Sequence, residues 1–188
     1  MNVYKNSQGL INGSPISTVN EYKKSSRWKE YKLGHTLTHC KVCYQRQNKI
    51  YEIHNEPLLP EHLKCLCYLQ FMRSISVGTA TSLGEFGADY YLKNFGELPQ
   101  YYITKQQAEV LGWEACKGNL NKVIPGKMIG GDVFFNREQK LPSSPGRIWY
   151  ECDIDYNGGF RNNYRLIYSN DGLIFKTDSH YTNFIAVE

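Results

Sequence analysis

Arg147-Ile148-Trp149-Tyr150-Glu151-Cys152-Asp153-Ile154-Asp155 alternates between two kinds of residue. Successive side chains of an extended chain point to opposite sides. Ile148, Tyr150, Cys152 and Ile154 therefore share one face, expected to meet a core. Trp149, Glu151, Asp153 and Asp155 share the other, which carries Glu151 away from that core and among polar neighbours. Downstream, Arg165–Ser169 and Leu173–Asp178 flank Asn170-Asp171-Gly172, a hairpin signal. Phe184–Val187 can close the sheet.

Upstream of this strand the pattern is helical. Phe86, Tyr90, Tyr91, Leu92 and Phe95 make a short apolar face that stops at Gly96, with Pro99 soon after. Thr104 caps a second helix, Gln107 completes a capping box, Ala108 and Leu111 face inward, and Gly112 ends it. A third, short helix follows Gly118. Helices first and an antiparallel sheet after them give an α+β fold.

The first half reads differently. Residues 1–34 are small, polar and charged, a weakly ordered basic leader with a short helix around Glu21–Tyr31. Residues 35–70 form a compact Cys/His-rich segment, and 71–84 have the small-residue content of a linker. Residues 1–80 carry 11 Lys+Arg against 5 Asp+Glu, and residues 81–188 carry 11 against 13, within a net charge of +4. A basic arm beside a near-neutral body suits contact with an anionic polymer, and suits a merely solvated leader equally. Hydrophobic content of 41% places the chain in the globular range, and the 15 tyrosines suit half-wet surfaces. No apolar run reaches the roughly 18 residues of a membrane span. The start, MNVYKNSQGLINGSP, lacks the apolar core of a secretory signal.

Four of the six cysteines fall in Cys40-x-x-Cys43 and Cys65-x-Cys67, with His35, His39, His54 and His62 nearby. Two short pairs of N/S donors separated by a loop suit a tetrahedral zinc site. Cys40, Cys43 and Cys65, with His62 or Cys67, are the candidate ligands of a structural zinc. Disulfides and free thiols are the other readings. Cys116 and Cys152 have the setting of small core residues.

From about Glu85 onward, a series of strings resembles the barnase-type bacterial ribonucleases. They include Leu98-Pro99, Tyr102-Ile103-Thr104-Lys105, Leu111-Gly112-Trp113, Lys117-Gly118-Asn119-Leu120 and Ile129-Gly130-Gly131-Asp132. Further on come Asn136-Arg137-Glu138, Lys140-Leu141-Pro142, Gly158-Gly159-Phe160-Arg161-Asn162 and His180-Tyr181. The resemblance implies helices packed on one twisted antiparallel sheet over residues 85–188. It implies a metal-independent endoribonuclease that cuts single-stranded RNA 3′ of guanosine through a 2′,3′-cyclic phosphate, with no cofactor for catalysis.

Internal attack by a ribose 2′-hydroxyl needs a base, an acid for the leaving 5′-oxygen, and cations around the phosphorane. By resemblance Glu151 is the base, His180 the acid, and Arg161, Arg165 and Lys105 the phosphate cations, with Asp153 supporting Arg161. Free carboxyls near about 4.3 and free imidazoles near about 6.5 suit such a division in mild acid. The loop Phe134-Phe135-Asn136-Arg137-Glu138 is expected to select guanine, Glu138 reading the base edge and Tyr181 or Phe134 stacking on it. Phe135 and Asn163 stand where small hydroxyl residues are common in the family, and Ser179 where an acidic residue often precedes the histidine.

Such an enzyme implies a barstar-like acidic inhibitor as a partner, a monomeric state, and a secreted or delivered toxin without a recognisable signal peptide in this chain. Cys40-Lys41-Val42-Cys43, Lys49-Ile50-Tyr51 and Leu58–Cys67 also resemble the end of phage minor-head (MuF-type) proteins, which makes 35–70 a delivery or docking segment. Two rival readings are an inactive RNA-binding module and a phage-derived structural protein with an incidental nuclease domain.

Overall fold

The computed structural model describes residues 22–34 and 40–188. Most of the expected leader, and His35 and His39, lie outside the described residues. The elements are strand β1 (Lys23–Lys32), helix α1 (Lys41–Arg46), β2 (Ile50–Glu52), β3 (Tyr68–Ile75), α2 (Ala88–Phe95), β4 (Tyr102–Ile103), α3 (Lys105–Val110), α4 (Leu120–Val123), β5 (Met128–Phe134), β6 (Trp149–Asp153), β7 (Arg165–Ser169), β8 (Ile174–Thr177) and β9 (Ile185–Val187). The fold is α+β. A nine-stranded sheet runs in the order β2-β1-β3-β9-β8-β7-β6-β5-β4.

In the C-terminal half the local helix signals hold, except that Leu111, expected to face inward, is 56% exposed. The Thr104 hydroxyl accepts from Gln107 N while the Gln107 side chain accepts from Thr104 N, so α3 starts on a complete capping box. Gly96 ends α2 in a left-handed turn at φ 76°. Strands β5 to β9 pair antiparallel in sequence order.

The alternation in β6 holds, but both of its faces are buried. Cys152 and Ile154 pack with Ile75, Ala88, Leu92, Leu166 and Ile174 on the face under α2. Trp149, expected on the polar face, is 5% exposed in a second core with Ile167, Leu173 and Phe175. Ile148, expected in the core, is exposed because it lies before the paired part of the strand. Phe86 and Phe95 are exposed as well, so α2 buries Ala88, Asp89 and Leu92 rather than its aromatic residues. Cys152 is buried, whereas Cys116 is exposed and is no core residue.

The N-terminal half departs most from expectation. Instead of a helix around Glu21–Tyr31, β1 is a strand paired with both β2 and β3. The stretch read as a linker from residue 71 begins as strand through Ile75, and Ser74 and Ile75 pair in parallel with Ala186 and Val187. Residues 76–84 are also tied down. The buried Asp89 carboxylate accepts from Gly78 N and Ala80 N, and Asp155 accepts from Ser82 N and its hydroxyl. Hence β9, expected to close the sheet, is an interior strand. Trp28, Ile50 and Met72 complete the core around Phe175, with the Trp28 and Phe175 ring centroids 5.4 Å apart. Among the described residues, no helix is long and apolar enough to cross a membrane.

Candidate active site

Glu151 lies at the middle of β6, opposite Asp132 on β5 and Ile167 on β7. It is 7% exposed, so burial alone would favour the neutral acid. Each of its oxygens has a donor. Lys105 Nζ donates to Oε1 at 2.5 Å and the Tyr181 hydroxyl donates to Oε2 at 2.5 Å. Burial raises the Glu151 carboxyl, but these two hydrogen bonds and the charges of Lys105 and Arg161 outweigh it and hold the carboxyl below its ordinary range. The same arrangement, with burial first, raises the Tyr181 phenol. Glu151 is thus a buried carboxylate kept ionised.

Lys105 occupies the first turn of α3, where a cation opposes the helix dipole. Asp132 removes that difficulty, because its carboxylate accepts from Lys105 N at 3.1 Å and 3.3 Å and faces the helix start. Asp132 is delivered by a bulge: the register shifts between Gly130 and Asp132, and Gly131 sits at φ +94°, a conformation that L side chains rarely adopt. The sequence reading missed Asp132, although two glycines before an acid inside a strand were a usable sign of the bulge.

The arginines rest on Asp153, which is 1% exposed. Arg161 donates to it through Nε at 2.7 Å and Nη2 at 2.6 Å, the bidentate fork that fixes a guanidinium in one plane. Arg165 Nε stands 2.9 Å from Asp153 Oδ1 without hydrogen-bond alignment, while its Nη1 donates to Asn162 Oδ1 and Tyr164 O. Burial works against the Arg161 charge, and Asp153 more than restores it, so its pKa is raised. Asn162 also donates to Ile154 O and Asp155 O, which locks the loop that carries Arg161. This brace, too, had no signal in the sequence beyond its place in the Gly158–Asn162 string.

His180 and Tyr181 occupy consecutive left-handed backbone positions, at φ 50° and 67°. Such conformations are uncommon for residues other than glycine and persist only where their surroundings enforce them. The buried Thr177 hydroxyl does so by accepting from Ser179 N and Tyr181 N. His180 is exposed, and its ring centroid lies 4.9 Å from that of Tyr181.

A cavity of about 300 Å³ opens beside Glu151 and is lined by Phe134, Phe135, Arg137, Glu138 and Tyr181 among others. The Phe134 and Tyr181 rings stack there at 5.2 Å. Asn136 spends its side chain on the loop itself, donating to Leu141 O and accepting from Leu141 N. Arg137 lies over the exposed Phe135 ring. The Glu138 carboxylate is 75% exposed and paired at 2.7 Å with Lys140, whose ammonium also donates to Tyr181 O. Lys140 therefore links the loop to the His180-Tyr181 turn, a role the sequence did not show. Thus two polar groups, Glu151 with Lys105 and Tyr181 and Asp153 with Arg161 and Arg165, are coupled by the charge of Arg161 near Glu151. The loop residues line the cavity beside Glu151, and His180 is brought only to Tyr181 by its ring contact.

This site falls within residues 87–188, which match the family model described as ribonuclease. Over 101 residues, 54% of this chain, the sequence is 57% identical to a ribonuclease of Heyndrickxia coagulans, of which it covers 93%. It is equally similar over the same length to the ribonucleases of Bacillus intermedius and Bacillus pumilus, and spans 62% of each. A family match over more than half of the chain, laid on a buried carboxylate ringed by cations, places this protein in the barnase-type ribonuclease family.

Proposed function

We propose that the chain is an endoribonuclease that cuts single-stranded RNA 3′ of guanosine, by attack of the ribose 2′-hydroxyl on the adjacent phosphate. The observation that carries this reading is the Glu151 carboxylate, buried yet held ionised between Lys105 and Tyr181 and faced by Arg161. The incoming 2′-hydroxyl takes the place of the Tyr181 hydroxyl at Oε2 and gives its proton to Glu151. The 2′-oxygen bonds to phosphorus, the bond to the 5′-oxygen breaks, and His180 protonates that leaving oxygen. Lys105, Arg161 and Arg165 stabilise the charge that builds on the phosphorane. In the second step water replaces the leaving alcohol and the two residues exchange roles, which opens the 2′,3′-cyclic phosphate. The nucleophile belongs to the substrate and the cations are side chains, so this route asks for no metal.

Guanine enters the cavity between Phe134, Tyr181 and the 134–138 loop. Glu138 leaves Lys140 to accept the two N–H groups of the base edge, and an aromatic face stacks on the ring. An acidic protein inhibitor that covers these cations, and a secreted or delivered toxin role, follow from the same reading as proposals. Incubation with a short RNA holding one guanosine, first without and then with EDTA, tests it. The expected product is a cyclic phosphate after the guanosine, lost in Glu151→Ala and His180→Ala and absent on the all-deoxy oligonucleotide. Binding without cleavage by well-folded protein would instead establish an RNA-binding module.

A further inference from the structure

The N-terminal half folds around a second polar cluster that the ribonuclease reaction does not use. Cys40 caps α1, and its Sγ accepts from Cys43 N at 3.4 Å, which closes a knuckle of one turn. A second knuckle of the same length follows, in which Cys65 N donates to His62 O at 3.0 Å across Leu63 and the left-handed Lys64. The two knuckles face each other. Cys43 Sγ lies 3.5 Å from Cys40 Sγ, 3.8 Å from Cys65 Sγ and 3.0 Å from His62 Nε2.

We propose that Cys40, Cys43, His62 and Cys65 bind one structural zinc-class ion that joins the two knuckles. Thiolate ligands about 2.3 Å from a tetrahedral ion lie about 3.8 Å from one another, the scale seen around Cys43. His62 is set for the task. Its Nδ1 lies 2.9 Å from Leu63 O, and a carbonyl can only accept, so Nδ1 carries the proton and the Nε2 lone pair points to Cys43. Three sulfurs and one imidazole select zinc over magnesium or calcium, which take oxygen.

Equal knuckle length favours His62 over Cys67 as the fourth ligand. The donor atoms of Cys40, Cys43 and His62 lie within 4.8 Å of one another, as do those of Cys43, Cys65 and Cys67. Cys43 thus joins two triads, and an ion must draw Cys65 toward Cys40 and His62, whereas Cys67 belongs to neither knuckle. Beneath the cluster, the fully buried Tyr31 hydroxyl has no hydrogen-bond partner among the described residues, although Cys43 and Cys67 adjoin it. Thiolates held by a cation accept hydrogen bonds readily, so metal loading gives this hydroxyl an acceptor. The ion also fixes α1 against β1, where Asn48 N donates to Tyr31 O and Tyr31 N to Lys49 O.

Elemental analysis of the full chain, purified with reductant and supplied zinc, is expected to find one ion per chain. Cobalt in its place is expected to give the strong visible bands of a tetrahedral site and thiolate-to-metal charge transfer. Cys43→Ser and His62→Ala lose those bands, whereas Cys67→Ser keeps them. Stripping the ion from wild type with a chelator lowers its thermal midpoint. Wild type without stoichiometric metal, or with a Cys40–Cys43 disulfide in its intact mass, overturns the site. Loss of the bands in Cys67→Ser with retention in His62→Ala overturns the ligand set. The wild-type measurements do not depend on whether any variant folds.

Discussion

The two halves of this molecule gather buried polar side chains in opposite ways. Around Glu151 each charge meets its opposite inside the chain: Lys105 with Glu151, and Arg161 and Arg165 with Asp153. Around Cys43 the near neighbours are thiols and an imidazole, and the Tyr31 hydroxyl below them has no hydrogen-bond partner among the described residues. A polar network closed on itself holds its geometry without help, whereas converging donors without a counter-charge are costly until something binds. The difference suits two tasks. In the proposed reaction the C-terminal half must keep a carboxylate ionised and cations aimed before substrate arrives; the N-terminal half shares a core with Phe175 and would gain further rigidity from the proposed ion.

The largest effect expected on this comparison is catalytic. Glu151→Ala removes the proposed base and should lower kcat/KM on the single-guanosine RNA by about 10²–10⁴-fold, the usual contribution of a positioned acid or base. Cys43→Ser leaves the Glu151 network intact and should cost far less. Equal losses in the two variants would show that the closed network is not what performs the chemistry.

Next in size is the shared core. Trp28 is 3% exposed against Phe175, so Trp28→Ala should destabilise the chain by about 3–5 kcal/mol, as large aromatic deletions from a core do. Urea unfolding, followed by far-UV circular dichroism and by activity, should give coincident transitions that move together in the variant. An unchanged activity midpoint would mean that the N-terminal strands rest on the ribonuclease without supporting it.

These two halves were also unequally legible. The β6 alternation, the Thr104-Gln107 capping box and the Asn170-Asp171-Gly172 turn state their structures locally, because each depends on neighbours a few residues away. In β1 the buried residues are Ser25, Trp28 and Tyr31, spaced by three. That spacing imitates a helix, and it arises from the register shift between Lys24 and Lys29, a bulge that depends on the partner strand β3. The second buried face of β6 was hidden for a similar reason: Trp149 sits in a core that Trp28, Ile50 and Met72 complete from far upstream. At the site, the side chains proposed to react were named from the family resemblance, while Asp132, Asn162 and Thr177 act by hydrogen bonds that only the folded chain brings together.

A pH profile sharpens the catalytic side of the comparison. The Glu151 carboxyl lies below its ordinary range because Lys105 and Tyr181 overcome the effect of burial. A base must be ionised to act, so a low value extends activity toward acid. Lys105→Met removes the cation and raises the carboxyl, which moves the acidic limb of kcat/KM to higher pH. Tyr181→Phe moves it in the same direction. An acidic limb that stays in place in both variants would mean that it reports a group other than Glu151.

The smallest effect comes from a pair that resembles the Asp153 network in geometry but not in setting. Arg147 Nε and Nη2 donate to Asp171 at 2.8–3.0 Å, and Nη1 to Pro142 O, so the fork is as well formed as that of Arg161. Yet the Asp171 side chain is 44% exposed, where Asp153 is 1% exposed. Water and salt screen the outer pair, so Asp171→Asn should cost no more than about 1 kcal/mol. The Arg147 hydrogen bonds come first among the causes that hold the Asp171 carboxyl below its ordinary range. A depressed folded-state pKa contributes stability that is present above the unfolded value, about 3.9 for aspartate, and is lost as pH falls through the folded value. The gap between wild type and Asp171→Asn should therefore be widest near neutrality, narrow in acid, and shrink with added salt. A gap that stays constant with pH and salt would assign the fork to packing. Asp171 would then differ from Asp153 in its packing and no longer serve as the screened counterpart of the buried pair.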